Sequence, residues 1–372
     1  MKIMIACGGT GGHLFPGLAV AETLRSRQHQ VKLLVSEKAV DSTALSALTN
    51  SSGRSGITVH SVSAIGYGGA GQLIRFCTRL ARAVGDCAAI GAEYRPDAVL
   101  GMGGFTSAPA VLAARWQGTP TLIHESNAVP GKANRWAGKV VDHIAVGLAE
   151  CARHFGRKPV TVTGTPIRAG LRAGKASDAH ARLGLEKGRM TILVMGGSQG
   201  ARAINEITAS ALPWLDEWRE QMQFVHLSGP RDERFVRDAY ERNGFAAKVM
   251  SFCDEMELAY SAADLVMARS GAATLTELAA FGLPAILIPY PAAAGNHQLH
   301  NARVFERAGA ARVIEQSQLG GLHTAAGERL AEEISGLLAQ ATARARMATA
   351  ARSLAVENAS ERIADLVEAY AN

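Results

Sequence analysis

An α/β protein made of two parallel-sheet domains is predicted by three observations. Short apolar runs alternate with helical segments along most of the 372 residues, the pattern of parallel strands covered on both faces. The first run, KIMIA (2–6), leads into a glycine loop, Gly8-Gly9-Thr10-Gly11-Gly12, and then a helix. The same succession starts again in the second half, where MTILVM (190–195) runs into GGSQGAR (196–202) and a helix through Leu212.

In the first half the expected strands are 2–6, 31–35, 57–60, 98–100, 120–123, 144–146 and 160–162, and Pro16–Arg27 is a helix with Leu18, Ala21 and Leu24 on one side. In the second half, strands are expected at 190–195, 224–227, 248–250, 265–267 and 285–289. The polar, glycine-containing stretch 164–188 is read as the linker. The Ala/Glu/Arg-rich tail from about 322 is helical, and its last helix is expected to pack back on the first domain. The domains are therefore 1–165 joined by about 350–372, and 166–349.

Hydrophobic residues make up 48% and charged residues 19%, which excludes a disordered chain. Lys+Arg is 39 against Asp+Glu 33, a net charge of +6. That density is low for a dedicated nucleic-acid binder, so nucleic acid is not an expected partner and the excess is read by its placement. The five cysteines include no CxxC pair and no His at zinc-ligand spacing, as for reduced thiols in a cytosolic protein. No run reaches the ~18 apolar residues of a membrane span, and the start lacks a signal-peptide core. A soluble or peripheral protein that stays inside the cell is expected.

Candidate chemistry sits in the loops after the strands. Thr10, Gly11 and Gly12 form a close-approach turn whose N–H groups face a ligand. No Gly-Lys-Ser/Thr follows, so it is not a Walker loop, and the third glycine of a dinucleotide fingerprint would fall on Leu14. His13 ends this loop and is a candidate general base. Gly101–Ser107 is a second such turn, with Ser107 a candidate helix cap. His124-Glu125-Ser126-Asn127 gathers polar groups at a strand end: Glu125 is a base or an orienting partner for a histidine, and the Asn127 amide suits sugar hydroxyls.

Ser198–Ala201 opens a helix whose N–H groups favour phosphate, and Arg168 at the domain junction is a candidate diphosphate clamp. The segment 269–277 places another helix start near the same edge, with Glu277 a candidate ribose-diol acceptor. Asn296, His297 and Gln298 crowd hydrogen-bonding groups into one turn. With no Asp-x-Asp pair and no His/carboxylate cluster, no metal or other cofactor is expected. Leaving-group charge falls to helix N-termini and arginine.

The motifs GGTGGHLFPGLAVAETL, GMGGFTSAP, HESN, GTPIR, GGSQGAR, RSGAATLTELAAFGLPAILIPYP and NHQLHNA follow one another over nearly the whole chain. Together they resemble the MurG family, peptidoglycan N-acetylglucosaminyltransferases acting on lipid I. The resemblance implies a GT-B fold, two Rossmann-like domains facing a deep interdomain cleft. It also implies inverting transfer from UDP-N-acetylglucosamine to the 4-hydroxyl of the muramoyl sugar, giving lipid II. It implies donor contacts at Thr10, Gly11, Gly12, Asn127, Arg168, Ser198, Cys253 (by its backbone, to uracil), Ala272, Ala273, Thr274, Leu275, Thr276, Glu277 and Gln298. Thr165, Ser126 and His297 stand where Asn, Gln and, in some relatives, Gln occur. His13 is then the base and Glu125 its reserve. The alternatives are another GT-B transferase, a UDP-N-acetylglucosamine 2-epimerase, and a non-catalytic nucleotide-sugar-binding module.

A lipid-linked acceptor needs a docking surface on the cytoplasmic side of an anionic bacterial inner membrane. Over 73–84, Leu73, Cys77, Leu80 and Val84 form one helical stripe and Arg75, Arg79 and Arg82 the opposite face, flanked by Ile74 and Phe76. Cell-wall synthesis proteins are the further expected partners.

Overall fold

A computed structural model describes residues 1–8, 11–36, 57–62, 73–104, 106–168, 171, 173–197, 200–319 and 323–372, with 11, 73, 74, 318, 319, 323 and 324 described by backbone alone. The chain forms two units, Met1–Ala169 with Val356–Asn372, and Gly170–Ala355.

The first unit carries the strands β1 (Lys2–Ala6), β2 (Gln30–Ser36), β3 (Ile57–Val62), β4 (Ala98–Gly101), β5 (Thr121–Glu125), β6 (His143–Val146) and β7 (Val160–Val162). They form one parallel sheet in the order β3-β2-β1-β4-β5-β6-β7. Its helices are α1 (Gly11–Ser26), α2 (Leu73–Tyr94), α3 (Ser107–Trp116), α4 (Lys132–Ala137) and, from the far end of the chain, α13 (Ala359–Ala371). Alternate residues of β1 explain the two layers. Ile3 and Ile5 join Leu14, Leu24, Ile363 and Val367 on one face. Met4 and Ala6 join Val84, Cys87 and Ala110 on the other. A strand buried on both faces reads as an unbroken apolar run, which is why KIMIA was legible.

Strand ends shift by one or two residues from the sequence reading, as at Met222–Leu227 and Ala285–Leu287, and two helix boundaries differ more. The first helix starts at Gly11, not Pro16, so Gly11, Gly12 and His13 are its first turn rather than a loop. Proline removes an N–H, but the carbonyl left without that donor, four residues back, belongs to Gly12, which is exposed to water. Gly17 then lets the helix lie on the end of β1, since a Cβ there would stand 2.8 Å from Cys7 Cβ. The last helix is also shorter than 350–372. A separate helix, Ala341–Ser353, stays with the second unit, and only α13 returns to the first. There Arg27 pairs with Asp365 (2.6 Å) and Glu368 (2.9 Å), and His29 Nε2 meets Glu368 at 2.7 Å.

The second unit carries β8 (Met190–Met195), β9 (Met222–Leu227), β10 (Ala247–Met250), β11 (Leu265–Ala268), β12 (Ala285–Leu287) and β13 (Ala311–Val313). Their parallel order is β10-β9-β8-β11-β12-β13. The helices are α5 (Ala176–Leu183), α6 (Arg202–Ala211), α7 (Glu233–Asn243), α8 (Met256–Ala262), α9 (Ala272–Phe281), α10 (His297–Arg307), α11 (His323–Leu338) and α12 (Ala341–Ser353). The 164–188 stretch is not linker throughout, because α5 lies inside it. Ala179 and Leu183, one helical turn apart, are buried, and Gly184 in the left-handed conformation closes the helix. β13, three residues long, was not foreseen.

Both sheets reverse direction beside their first strand, between β1 and β4 and between β8 and β11. In open α/β sheets ligands bind at the carboxyl ends of the strands at such a switch point. Gly8, after β1, and Gly196 and Gly197, after β8, lie at these two positions. All five cysteines are free, and among the described residues no helix is long and apolar enough to cross a membrane.

Candidate active site

At the carboxyl edge of the first sheet, side chains do the organising. Gly103 and Gly104 have φ of +97° and +75°. A Cβ on Gly103 would stand 3.0 Å from His13 Cδ2 and 3.2 Å from Asn134 Nδ2. On Gly104 it would stand 3.4 Å from His13 Nδ1. The imidazole of His13, half-buried on the first turn of α1, therefore lies across these two glycines, and no other residue type fits beneath it. Ser107 does not cap α3, since its Oγ donates to Gly104 O at 3.0 Å and so braces the same turn.

Glu125, at the end of β5, is 3% exposed. Its Oε1 accepts from Asn127 N (3.0 Å) and Asn127 Nδ2 (2.9 Å). Its Oε2 accepts from Gly131 N and Asn134 Nδ2, both at 3.0 Å. Four donors aimed at one carboxylate make it the brace of the turn from 125 to 134, holding the Asn127 amide and the start of α4 in place. Asn134 Nδ2 also donates to His124 O at 2.9 Å. His124 is fully buried, with Nε2 on Gly164 O at 2.9 Å. Burial pushes its pKa down, and the charge of nearby His13 acts in the same direction.

Arg168 lies in the first unit, not the second. Its guanidinium carbon sits 4.0 Å from the centre of the Phe15 ring. The Arg75, Arg79 and Arg82 side chains are exposed along α2, Phe76 and Leu80 are half-buried and Val84 is buried, whereas Cys77 of the supposed apolar stripe is exposed. The side chain of Ile74, like Thr10 and Ser198, is outside the described residues.

At the edge of the second sheet, backbone and helix starts dominate. The loop after β8 packs Gly200 (φ +72°) against the carbonyl of Ser228, where a Cβ has no room. Beneath it Asn205 Nδ2 donates to Ser228 O (2.9 Å) and Asp232 Oδ2 (2.8 Å), and Asn205 Oδ1 meets His226 Nε2 at 3.0 Å. Burial pushes the pKa of His226 down to about 3. Arg202 is turned to Glu206 (2.6 Å) and Asp232 (2.7 Å) and stacks on Phe235, so it braces α6 and α7.

Gly271 caps α9, whose first turn carries half-buried Ala272, Ala273 and Thr274 and buried Leu275. Thr276 spends its hydroxyl on Ala272 O at 2.9 Å. Glu277 Oε2 accepts from Tyr260 Oη at 2.6 Å, which fixes the carboxylate. Gln298 Oε1 accepts from Tyr290 N at 2.9 Å, and its backbone oxygen accepts from Ser270 Oγ at 2.7 Å. Its amide is thereby held by the oxygen. His297 Nδ1 meets Ala294 O at 2.7 Å. Cys253 is buried, and burial pushes its thiol pKa up. Arg269, 8% exposed, donates to Ile288 O (3.0 Å), Pro289 O (3.1 Å) and Gln316 Oε1 (2.9 Å), and burial pushes its pKa down to about 10. Among the described residues no group of three or more His, Cys, Asp or Glu is placed to hold a metal ion.

Residues 3–146 match the glycosyltransferase family 28 N-terminal domain and 191–365 its C-terminal domain. A protein of Anaeromyxobacter sp. (strain K), the "UDP-N-acetylglucosamine--N-acetylmuramyl-(pentapeptide) pyrophosphoryl-undecaprenol N-acetylglucosamine transferase", is 39% identical, over 98% of this chain and 92% of that one. The protein of the same name from Syntrophotalea carbinolica is 38% identical, over 98% and 97%.

The chain belongs to the MurG family.

The crystal structure of Acinetobacter baumannii MurG superposes with a TM-score of 0.78 at 28% identity, covering 99% of both chains. The UDP-GlcNAc 2-epimerase of Neisseria meningitidis superposes at 0.67 with 14% identity, over 99% of this chain and 100% of that one, a likeness of fold alone. The two Rossmann-like units are thus those of a GT-B glycosyltransferase. Of the residues the sequence singled out, His13, Glu125 and Asn127 lie at the carboxyl edge of the first sheet, and Glu277 and Gln298 at that of the second. The sequence reading missed Asn134, Tyr260 and the brace at Arg269. Asn134 and Tyr260 sit inside helical segments with no motif signal. Arg269 did stand at a strand end, a signal available without the structure.

Proposed function

We propose that this protein transfers N-acetylglucosamine from UDP-N-acetylglucosamine to the 4-hydroxyl of the muramoyl sugar of undecaprenyl-diphosphate-linked muramoyl-pentapeptide, with inversion, giving lipid II for peptidoglycan synthesis. Identity of 38–39% along nearly the full length of relatives so named carries the reading. The placement of His13 supports it. His13 takes the acceptor proton as the hydroxyl attacks the anomeric carbon in line. Glu125 acts through the turn it braces, which presents Asn127 to the sugar. In the second unit Glu277 accepts the ribose hydroxyls, Gln298 a sugar hydroxyl, and the backbone at Cys253 the uracil. The starts of α6 and α9 and Arg168 meet the charge of the departing UDP, with no metal required.

The protein works as a peripheral protein on the cytoplasmic face of the inner membrane, and its product serves cell shape and division. Exposed Arg75, Arg79 and Arg82 on α2 support this, as does Trp116, 79% exposed at the end of α3. α3 is tied to α2 by Gln117 Nε2 donating to Ala88 O at 2.7 Å. Cell-wall synthesis proteins are its proposed partners.

Incubation with UDP-N-acetylglucosamine and a lipid I analogue, with and without EDTA, tests the reading by mass spectrometry. A disaccharide-lipid product made equally well in EDTA and absent without acceptor is expected. Donor conversion without acceptor would instead make the protein an epimerase or hydrolase.

A further inference from the structure

We infer that Phe15 is a positioning residue, whose ring holds the Arg168 guanidinium ready for the oxygens of a diphosphate ester. The inference rests on the proposed function, in which both substrates carry a diphosphate.

The guanidinium carbon lies 4.0 Å from the Phe15 ring centre, close for a cation–π contact. Several other arginines of the first unit behave differently. Arg27 is paired with Asp365 and Glu368, and Arg115 with Asp142. Arg75, Arg79 and Arg82 extend into solvent. Arg168 is half-buried, yet no carboxylate among the described residues pairs with it. A cation–π contact engages the ring without using a hydrogen bond, so the guanidinium N–H groups are left to oxygen acceptors such as those of phosphate.

The two ends of this side chain are anchored independently. On the backbone side, Gly164 (φ +74°) accepts from His124 Nε2 at 2.9 Å and packs so that a Cβ would stand 2.6 Å from Val356 Cβ. Thr165 is buried against Gly147. On the ring side, Phe15 packs against the core that includes Ile3, Leu14 and Leu18. One face of Phe15 is therefore core and another carries the cation. Phe15 follows His13 by two residues on the same helix start. Thus α1 sets both the candidate base and the anion-binding arginine. A long cation loses its rotamer freedom before ligand arrives, which strengthens binding without adding a contact.

The test is a double-substitution cycle with F15L, F15Y, R168A and F15L/R168A. It is read as KM for UDP-N-acetylglucosamine, KM for the lipid I analogue, kcat, and UDP affinity by calorimetry, with a thermal melt to compare folding. R168A is expected to raise one substrate's KM by about tenfold or more. F15L should raise the same KM by about three- to tenfold. F15Y, which keeps a ring, should recover most of that loss, and F15L/R168A should be no worse than R168A. A parallel fall in UDP affinity assigns the diphosphate to the donor, while an isolated rise in lipid I KM assigns it to the acceptor. Equal performance of F15L and the parent beside an impaired R168A would reduce the ring to core packing. An undiminished F15L effect in the R168A background would also overturn the pairing. If R168A leaves both KM values and UDP affinity unchanged, the clamp reading of Arg168 itself fails.

Discussion

The two sheets share a strand order around their switch points, but their carboxyl edges are furnished differently. In the first unit, buried side chains build the edge: Glu125 gathers four donors, Asn134 bridges it to His124 O, and the His13 ring lies across two glycines. In the second, helix starts and backbone face the edge, and side chains such as Asn205 and Arg269 stand behind to hold carbonyls in place. Under the proposed function the contrast becomes a division of labour. Proton transfer needs a titratable group at a defined atom. Holding a nucleotide needs many fixed dipoles, which backbone N–H groups supply without side-chain entropy.

The sharpest way to break this contrast is H13A. If the first unit carries the chemistry, kcat falls by about 10²–10⁴ with KM for the donor nearly unchanged. A fall below tenfold would move the base elsewhere. Next comes E125Q, which puts an amide N–H₂ where two donors now converge. A stability loss of about 1–3 kcal/mol is expected in thermal melts, together with a lower kcat. An unchanged melt would mean that the turn does not depend on the carboxylate.

E277A probes the second unit. KM for UDP-N-acetylglucosamine should rise by about tenfold or more with kcat nearly retained, and UDP should lose its advantage over its deoxyribose analogue. Y260F, which removes one hydrogen bond from the carboxylate, should give a smaller shift in the same direction. Loss of kcat with unchanged KM would contradict the holding role.

The smallest effect is on pH. Burial lowers the pKa of His124, His143 and His226 in the fold, His226 to about 3. His226 thus stays neutral in the fold over the range in which the unfolded chain takes a proton, below the ordinary value of 6.5, and the lowered pKa values of His124 and His143 act in the same direction. Stability is therefore fully present above pH 6.5 and is lost as pH falls towards the folded values. The slope for His226 is about 1.4 kcal/mol per pH unit. Melts between pH 7.5 and 5 should show this decline, and H226Q should flatten the part that comes from the second unit.

Contiguous apolar runs revealed most strands, since a parallel strand buried on both faces carries its signal within itself. The glycine loops, the HESN turn and the basic face at 75–82 were legible for the same reason: spacing along the chain is enough to read them. Tertiary structure decided what spacing cannot encode. The first helix runs through Pro16 from Gly11, and the carbonyl that the proline leaves unbonded belongs to Gly12, exposed to water, while Gly17 lets the helix lie on the end of β1. Polar 176–183 is helical because Ala179 and Leu183 find a core to bury in. Glu125 is a brace because donors from 127, 131 and 134 converge on it, Glu277 is held by Tyr260, and Arg168 rests on a ring 153 positions earlier in the chain. A local pattern records what a residue can do, whereas its hydrogen-bond and stacking partners, set by contacts across the fold, decide what it is left to do.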